Sequence, residues 1–146
     1  MLVESKPLFA NRSIAEFIKL LRNNGIQLVV DIRSFPSSRM FPHFNSDLLK
    51  KSLSDNSIEY IWMKSLGGMR KLTNPDSKYK ELGKESFIAF REFMDSEEFE
   101  KSIDQVINLA EQKVIAIMCS EKDYLKCHRQ FIAGYLVDKG GEVMNI

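Results

Sequence analysis

Both cysteines and one of the two histidines of the chain fall in a single stretch, C-S-E-K-D-Y-L-K-C-H-R, running from Cys119 to Arg129. A thiol becomes a nucleophile when a helix N-terminus or neighbouring cations lower its pKa. Cys119 follows V-I-A-I-M (114–118), an apolar run rich in β-branched residues that reads as a buried strand. Its thiol is therefore expected where a strand meets solvent, with Arg33, Arg70, His128 and Arg129 supplying positive charge. The alternative reading is a small buried residue closing the strand. Glu121 and His128 are the candidate acid and base. Cys127 and His128 are neighbours at the start of a helix expected over about 127–138. Successive helical side chains point about 100° apart, so only one of the two is expected to face a given partner. Cys119 and Cys127 stand eight positions apart, outside the short spacing of common zinc knuckles. A metal site built from Cys119, Cys127, His128 and His43 would need a long loop to fold back, and a regulatory disulfide between the two cysteines is the other alternative. No metal ligand is assigned, and the residues name no cofactor.

The remaining candidates point to an anion. A cation near a helix start is locally unfavourable, so Arg129 is best explained by a bound anion or by pairing with Glu121 or Asp123. Asp31 and Arg33 share one side of a strand end, where they can pair. Arg39 and His43 lie on an aromatic loop, and Arg70 follows Gly67-Gly68, where the backbone can approach a ligand closely. Together Asp31, Arg33, Arg39, Gly67, Gly68, Arg70, Cys127 and Arg129 form the expected anion-binding set. Phe35, Phe41, Phe44 and Trp62 offer either a stacking face for a base or ordinary core packing.

These groups must be positioned by the elements around them. Met1–Val3 is a candidate edge strand, ended by Pro7. Ser13 with Glu16 forms a capping box for a helix over 14–24, which Gly25 ends. Strands are expected at 26–32, 58–63 and 114–118, with a last short one at 142–146. Helices are expected at about 47–54, 86–94 and from Asp95 or Ser96 through Ala110. The polar stretch 67–83 reads as a loop. Strands alternating with helices call for an α/β fold, a mostly parallel sheet with helices on both faces in three layers. The segments D-I-R-S, L-G-G-M-R and C-S-E all follow strands. They should converge at the carboxyl edge of the sheet, where such folds bind ligands.

Length and charge set the outer limits. At 146 residues the chain fits one domain, 1–146. A net charge of +1 gives no global field for nucleic acid or an anionic membrane, so anion binding must be local. Two cysteines do not make a disulfide framework. No apolar run approaches the roughly 18 residues that span a bilayer. The opening M-L-V-E-S-K-P is unlike a secretory signal. A cytoplasmic setting without membrane partners is expected.

Several motifs are similar to those of the domain of unknown function family 488. They are N-R-S-I-A-E-F (11–17), V-V-D-I-R-S-F-P-S-S-R (29–39), F-N (44–45), L-G-G-M-R (66–70) and the stretch from Cys119 to Arg129. The resemblance spans nearly the whole chain. It implies an α/β domain of a prokaryotic family without an established activity. Its motif positions are Asp31, Arg33, Pro36, Arg39, Gly67, Gly68, Cys119, Glu121, Cys127, His128 and Arg129. This chain departs from the family where Leu8, Phe9 and Ala10 replace a glycine-histidine-serine/threonine run, and where Asn145 replaces a histidine. Two readings follow. One is an enzyme using Cys119 on a phosphate- or carboxylate-bearing substrate, similar in outline to the cysteine loops of rhodaneses and phosphatases but without their short phosphate loop. The other is a non-catalytic module binding a nucleotide or nucleic acid through the same arginines and aromatics.

Overall fold

The computed structural model of the chain describes residues 2–3, 12–37, 42–119, 127–144 and 146. Its elements run β1 (Leu2–Val3), α1 (Ile14–Asn23), β2 (Leu28–Asp31), α2 (Ser46–Ser54), β3 (Glu59–Trp62), α3 (Glu85–Met94), α4 (Glu97–Gln112), β4 (Ile115–Met118) and α5 (Arg129–Asp138). Short 3-10 turns at Pro42–Phe44, Lys64–Leu66 and Lys80–Leu82 join them. Helix starts follow the expected chemistry. The Ser13 hydroxyl accepts from the Glu16 amide at 3.1 Å, and that of Ser96 accepts from Phe99 at 3.3 Å. Gly25, at φ +67°, takes the left-handed position beyond α1.

The four strands form one parallel sheet in the order β1-β4-β2-β3. Every residue of the central strands β2 and β4 is buried, as a sheet covered on both faces requires. Alternate residues feed opposite cores. Leu28, Val30, Ile115 and Ile117 pack with Phe90, Phe99, Ile103 and Leu136 of α3, α4 and α5. Val29, Ala116 and Met118 pack with Phe17, Leu21, Leu49 and Leu53 of α1 and α2. The result is the expected three-layer α/β domain.

Two expectations need correction. Residues 141–144 and Ile146 are in no strand. Val143 packs on the core as irregular chain instead. The last helix begins at Arg129 rather than 127, which leaves Cys127 and His128 in the turn before it. Among the described residues no helix is long and apolar enough to cross a membrane.

Adjacent strands β2 and β4 send the chain to opposite faces, to α2 and α5 respectively. Such a reversal opens a crevice at the carboxyl ends of the two strands. On the β2 side its shape is set by a buried ion pair. The Asp31 carboxylate, fully buried, accepts from Arg33 Nε at 2.9 Å and Nη2 at 2.7 Å, from the Arg33 amide at 3.0 Å and from Tyr60 Oη at 2.6 Å. Arg33 Nη2 also donates to the Phe44 carbonyl at 2.9 Å. The Asp-x-Arg motif thus binds the end of β2 to β3 and to the turn before α2.

Removing one member of a buried pair strands the other charge, at about 3–5 kcal/mol. Asp31→Ala is expected to lower unfolding free energy by that amount in denaturant titration, and a loss below about 1 kcal/mol would contradict the role given to the pair. Burial, then the neighbouring Asp31 charge, pushes the Tyr60 hydroxyl pKa upward. The native state therefore keeps this proton after the unfolded chain loses it near its ordinary value of about 10. Stability should fall as pH rises beyond that point, and Tyr60→Phe should flatten the decline; equal slopes in a pH series of denaturation curves would refute this.

Candidate functional site

The crevice has a volume of about 610 Å³. Its floor is Cys119, the residue that follows β4, with Cys127 and His128 from the turn before α5. All three are buried, at 7%, 2% and 7% exposure, and all three line this space. Their ligand-capable atoms (the two Sγ and a ring nitrogen) lie within 4.8 Å of one another. Cys127 Sγ is 3.7 Å from His128 Nδ1. The expectation that only one of these neighbours could face the site therefore fails. It assumed helical geometry, and the pair precedes the helix.

His128 is held by three contacts. Its Nε2 lies 2.8 Å from the Leu66 carbonyl, which can only accept, so Nε2 carries the proton and Nδ1 of the neutral ring presents a lone pair. Phe90 meets the ring edge to face at 4.8 Å. Gly68 lies against the ring, and a Cβ there would stand 2.3 Å from Nδ1. Gly67 plays the matching part toward β2, because its Cβ would stand 2.3 Å from Ser34 Oγ, and that hydroxyl accepts from the Met69 amide at 3.1 Å. The Leu-Gly-Gly motif is the seam joining the ends of β2 and β4.

The sulphurs differ in their surroundings. Cys127 Sγ accepts from the Arg129 amide at 3.4 Å and from Arg129 Nε at 3.2 Å. Its hydrogen bond with Cys119, then burial, raise the Cys127 thiol pKa well above the usual range, with Arg129 pulling the other way. Cys127 thus retains its proton more firmly than an ordinary thiol.

The walls are cationic. Arg33, Arg70, Lys71 and Lys84 line the crevice, and among the described residues no carboxylate does. Arg33 is committed to Asp31 and Phe44. Arg70 donates to the carbonyls of Ser65 at 2.6 Å and Gly67 at 3.2 Å, and its guanidinium lies 3.4 Å above the Phe93 ring. Burial lowers the Arg70 pKa, and Glu98 partly offsets this. Lys71 and Lys84 are exposed at the rim. Phe35, 63% exposed, and Phe87 give the crevice an apolar side.

Of the residues singled out from sequence, Arg33, Phe35, Gly68, Arg70, Cys119, Cys127 and His128 line this space. Asp31 lies beneath it, paired with Arg33. Gly67 supports an adjoining hollow with Ser34 and Arg70. Arg129 is fully buried behind Cys127 rather than open to the crevice. Arg39, Glu121, Asp123, Phe41, Asn145 and the run Leu8 to Ala10 lie outside the described residues. His43 meets Phe44 at a tilt, ring centroids 4.5 Å apart, and does not line the crevice. Phe44 is core, packed edge to face on Phe17 at 5.2 Å. Trp62 donates to the Arg33 carbonyl at 2.7 Å and does not line the crevice. Ser34, Met69, Lys71, Lys84 and Phe87 join the lining without having been singled out. Their one signal was proximity to the Gly67-Gly68 seam or to the start of α3. A hollow of about 530 Å³ between α1 and α2 carries no comparable chemistry.

Fold and site together define a small parallel α/β domain whose strand-end crevice has two thiols and an imidazole at its base. The family model described as "Domain of unknown function DUF488" matches residues 13–136, and the chain belongs to that family. Searches of curated proteins and of solved structures found no match.

Gly68→Ala forces the new methyl into the His128 ring, and overpacking of this kind costs about 1–3 kcal/mol. Denaturant titration should register that loss, and a variant as stable as the parent would show that the seam is not tight.

Proposed function

We propose that the protein binds a small phosphate- or carboxylate-bearing molecule in the crevice, and that the reactive atom this molecule meets is the sulphur of Cys119. The observation that carries this reading is the composition of the lining. A buried thiol at the end of β4 shares one cavity with Arg70, Lys71 and Lys84, and no carboxylate is among the described residues that line it. The net charge of +1 supplies no long-range attraction, so selection for an anion rests on this local arrangement. Phe35 and Phe87 favour a ligand with an apolar or ring portion. In the metal-free chain the step available to Cys119 is attack of its thiolate on an electrophilic atom of the ligand, whose leaving group departs with the displaced electron pair.

A nucleic-acid interface has less support. Base stacking along a strand needs aromatic faces in series. Phe44 is enclosed in the core, which leaves Phe35 and Trp62, at 63% and 43% exposure, with Trp62 outside the crevice.

Two reagents of similar size, one anionic and one neutral, test the reading without knowledge of the ligand. In the presence of a chelator, Cys119 is alkylated with anionic iodoacetate or with neutral iodoacetamide, and labelling is read by peptide mass spectrometry. The rate ratio of iodoacetate to iodoacetamide should exceed that of glutathione several-fold. It should fall toward the glutathione value at high salt and in the Lys71→Gln/Lys84→Gln variant. A ratio equal to that of glutathione in the parent chain would overturn the proposal.

A further inference from the structure

We infer that Cys119, Cys127 and His128 form a three-ligand site for a soft divalent cation of the zinc class, with the fourth coordination position open to the crevice. The inference goes beyond the anion-binding reading and does not depend on the rim lysines.

Four observations support it. The donor set of two sulphurs and one imidazole suits zinc and related ions. The three ligand-capable atoms lie within 4.8 Å of one another. Metal–sulphur bonds of about 2.3 Å and metal–nitrogen bonds of about 2.0–2.1 Å at tetrahedral angles put sulphur and nitrogen about 3.6 Å apart. The observed Cys127 Sγ to His128 Nδ1 separation is 3.7 Å. The supporting contacts are of the kind that orient ligands. Leu66 takes the Nε2 proton of His128 at 2.8 Å and leaves Nδ1 as a donor, while Arg129 gives two hydrogen bonds to Cys127 Sγ. Finally, the cluster is buried on the protein side and faces a cavity of about 610 Å³ on the other. A structural zinc site closes all four positions, whereas three protein ligands facing a cavity leave one for water or an incoming molecule.

The separation of Cys119 and Cys127 along the chain argued against a compact knuckle. It does not argue against a site whose ligands come from the two ends of one loop, at the end of β4 and the start of α5. On binding, each thiol gives up its proton, so two protons leave for each ion taken up. Cys119 then becomes a ligand, and an anion in the crevice meets the open metal position in place of the bare sulphur.

The reduced, chelator-treated full chain is titrated with Co²⁺ under anaerobic conditions. The expected result is uptake of about one ion per chain, with intense d–d bands of a tetrahedral site and thiolate-to-cobalt charge transfer, both displaced by Zn²⁺. Cys119→Ser and Cys127→Ser should each weaken binding by more than the roughly 10–100-fold typical of losing an outer-shell partner. A measurement on the unsubstituted chain covers variants that fail to fold: Zn²⁺ should slow iodoacetamide labelling of both cysteines together. No uptake, an octahedral cobalt spectrum, charge transfer that survives in the Cys119→Ser/Cys127→Ser double variant, or labelling unchanged by Zn²⁺ would each overturn the inference. The iodoacetate experiment is run with chelator and reads the free thiol, so either result can fail without the other.

Discussion

The buried pair of Asp31 and Arg33 is the constraint on which the site rests. With Tyr60 and the Phe44 carbonyl it fixes the chain as it leaves β2. That turn presents Ser34, against which Gly67 packs without room for a side chain. The next link is the Leu66 carbonyl, which holds His128. His128 in turn brings Cys127 up to Cys119. The distances along this path are short and its groups, apart from half-buried Ser34, are buried, so an error at β2 propagates to the thiols at β4. Partner-less charges or polar groups at these depths are costly, which gives the path one well-defined arrangement.

The pair also decides what the arginines do. Arg33 has the sequence position of a ligand clamp, yet its donors serve the fold. Arg129 is likewise turned to a sulphur, and Arg70 ties down the loop after β3 while lying over Phe93. The positive character of the crevice therefore has two sources. Buried guanidiniums build and tune the floor, and exposed Lys71 and Lys84 guard the mouth. An ion or ligand at the floor sits in a less polar medium than one at the rim, where water and salt screen the lysines.

Much of the architecture was legible in the sequence because local patterns encode it. The β-branched runs at β2 and β4, the capping serines at 13 and 96 and the glycine after α1 each specify their element with little help from the rest of the chain. The convergence of three motifs at one sheet edge followed from parallel topology alone, and the pairing of Asp31 with Arg33 followed from their shared side of the strand. What escaped were features that depend on contacts distant in sequence. Cys127 and His128 face the crevice together because Leu66 and Gly68, about sixty positions away, hold them in a turn where helical periodicity implied divergence. Lys71 and Lys84 join the lining through the path of a loop that has no repeating pattern to read, and Phe87 through the placement of α3 against it. Phe44 carried the composition of a stacking face, but the end of β2 needed it as core. The terminal strand expected at 142–146 is not formed by residues 142–144, where Val143 packs on the core as irregular chain.

The central claim is that a carbonyl from the β3 loop sets the proton of His128 and turns the opposite nitrogen toward the sulphurs. Long-range ¹⁵N–¹H correlation spectra of the imidazole, recorded on reduced metal-free protein with the ring neutral, report that proton directly. The account predicts the Nε2–H form, with Nδ1 resonating as an unprotonated nitrogen. Observation of the Nδ1–H form, or of two nitrogens averaged by tautomer exchange, would contradict it.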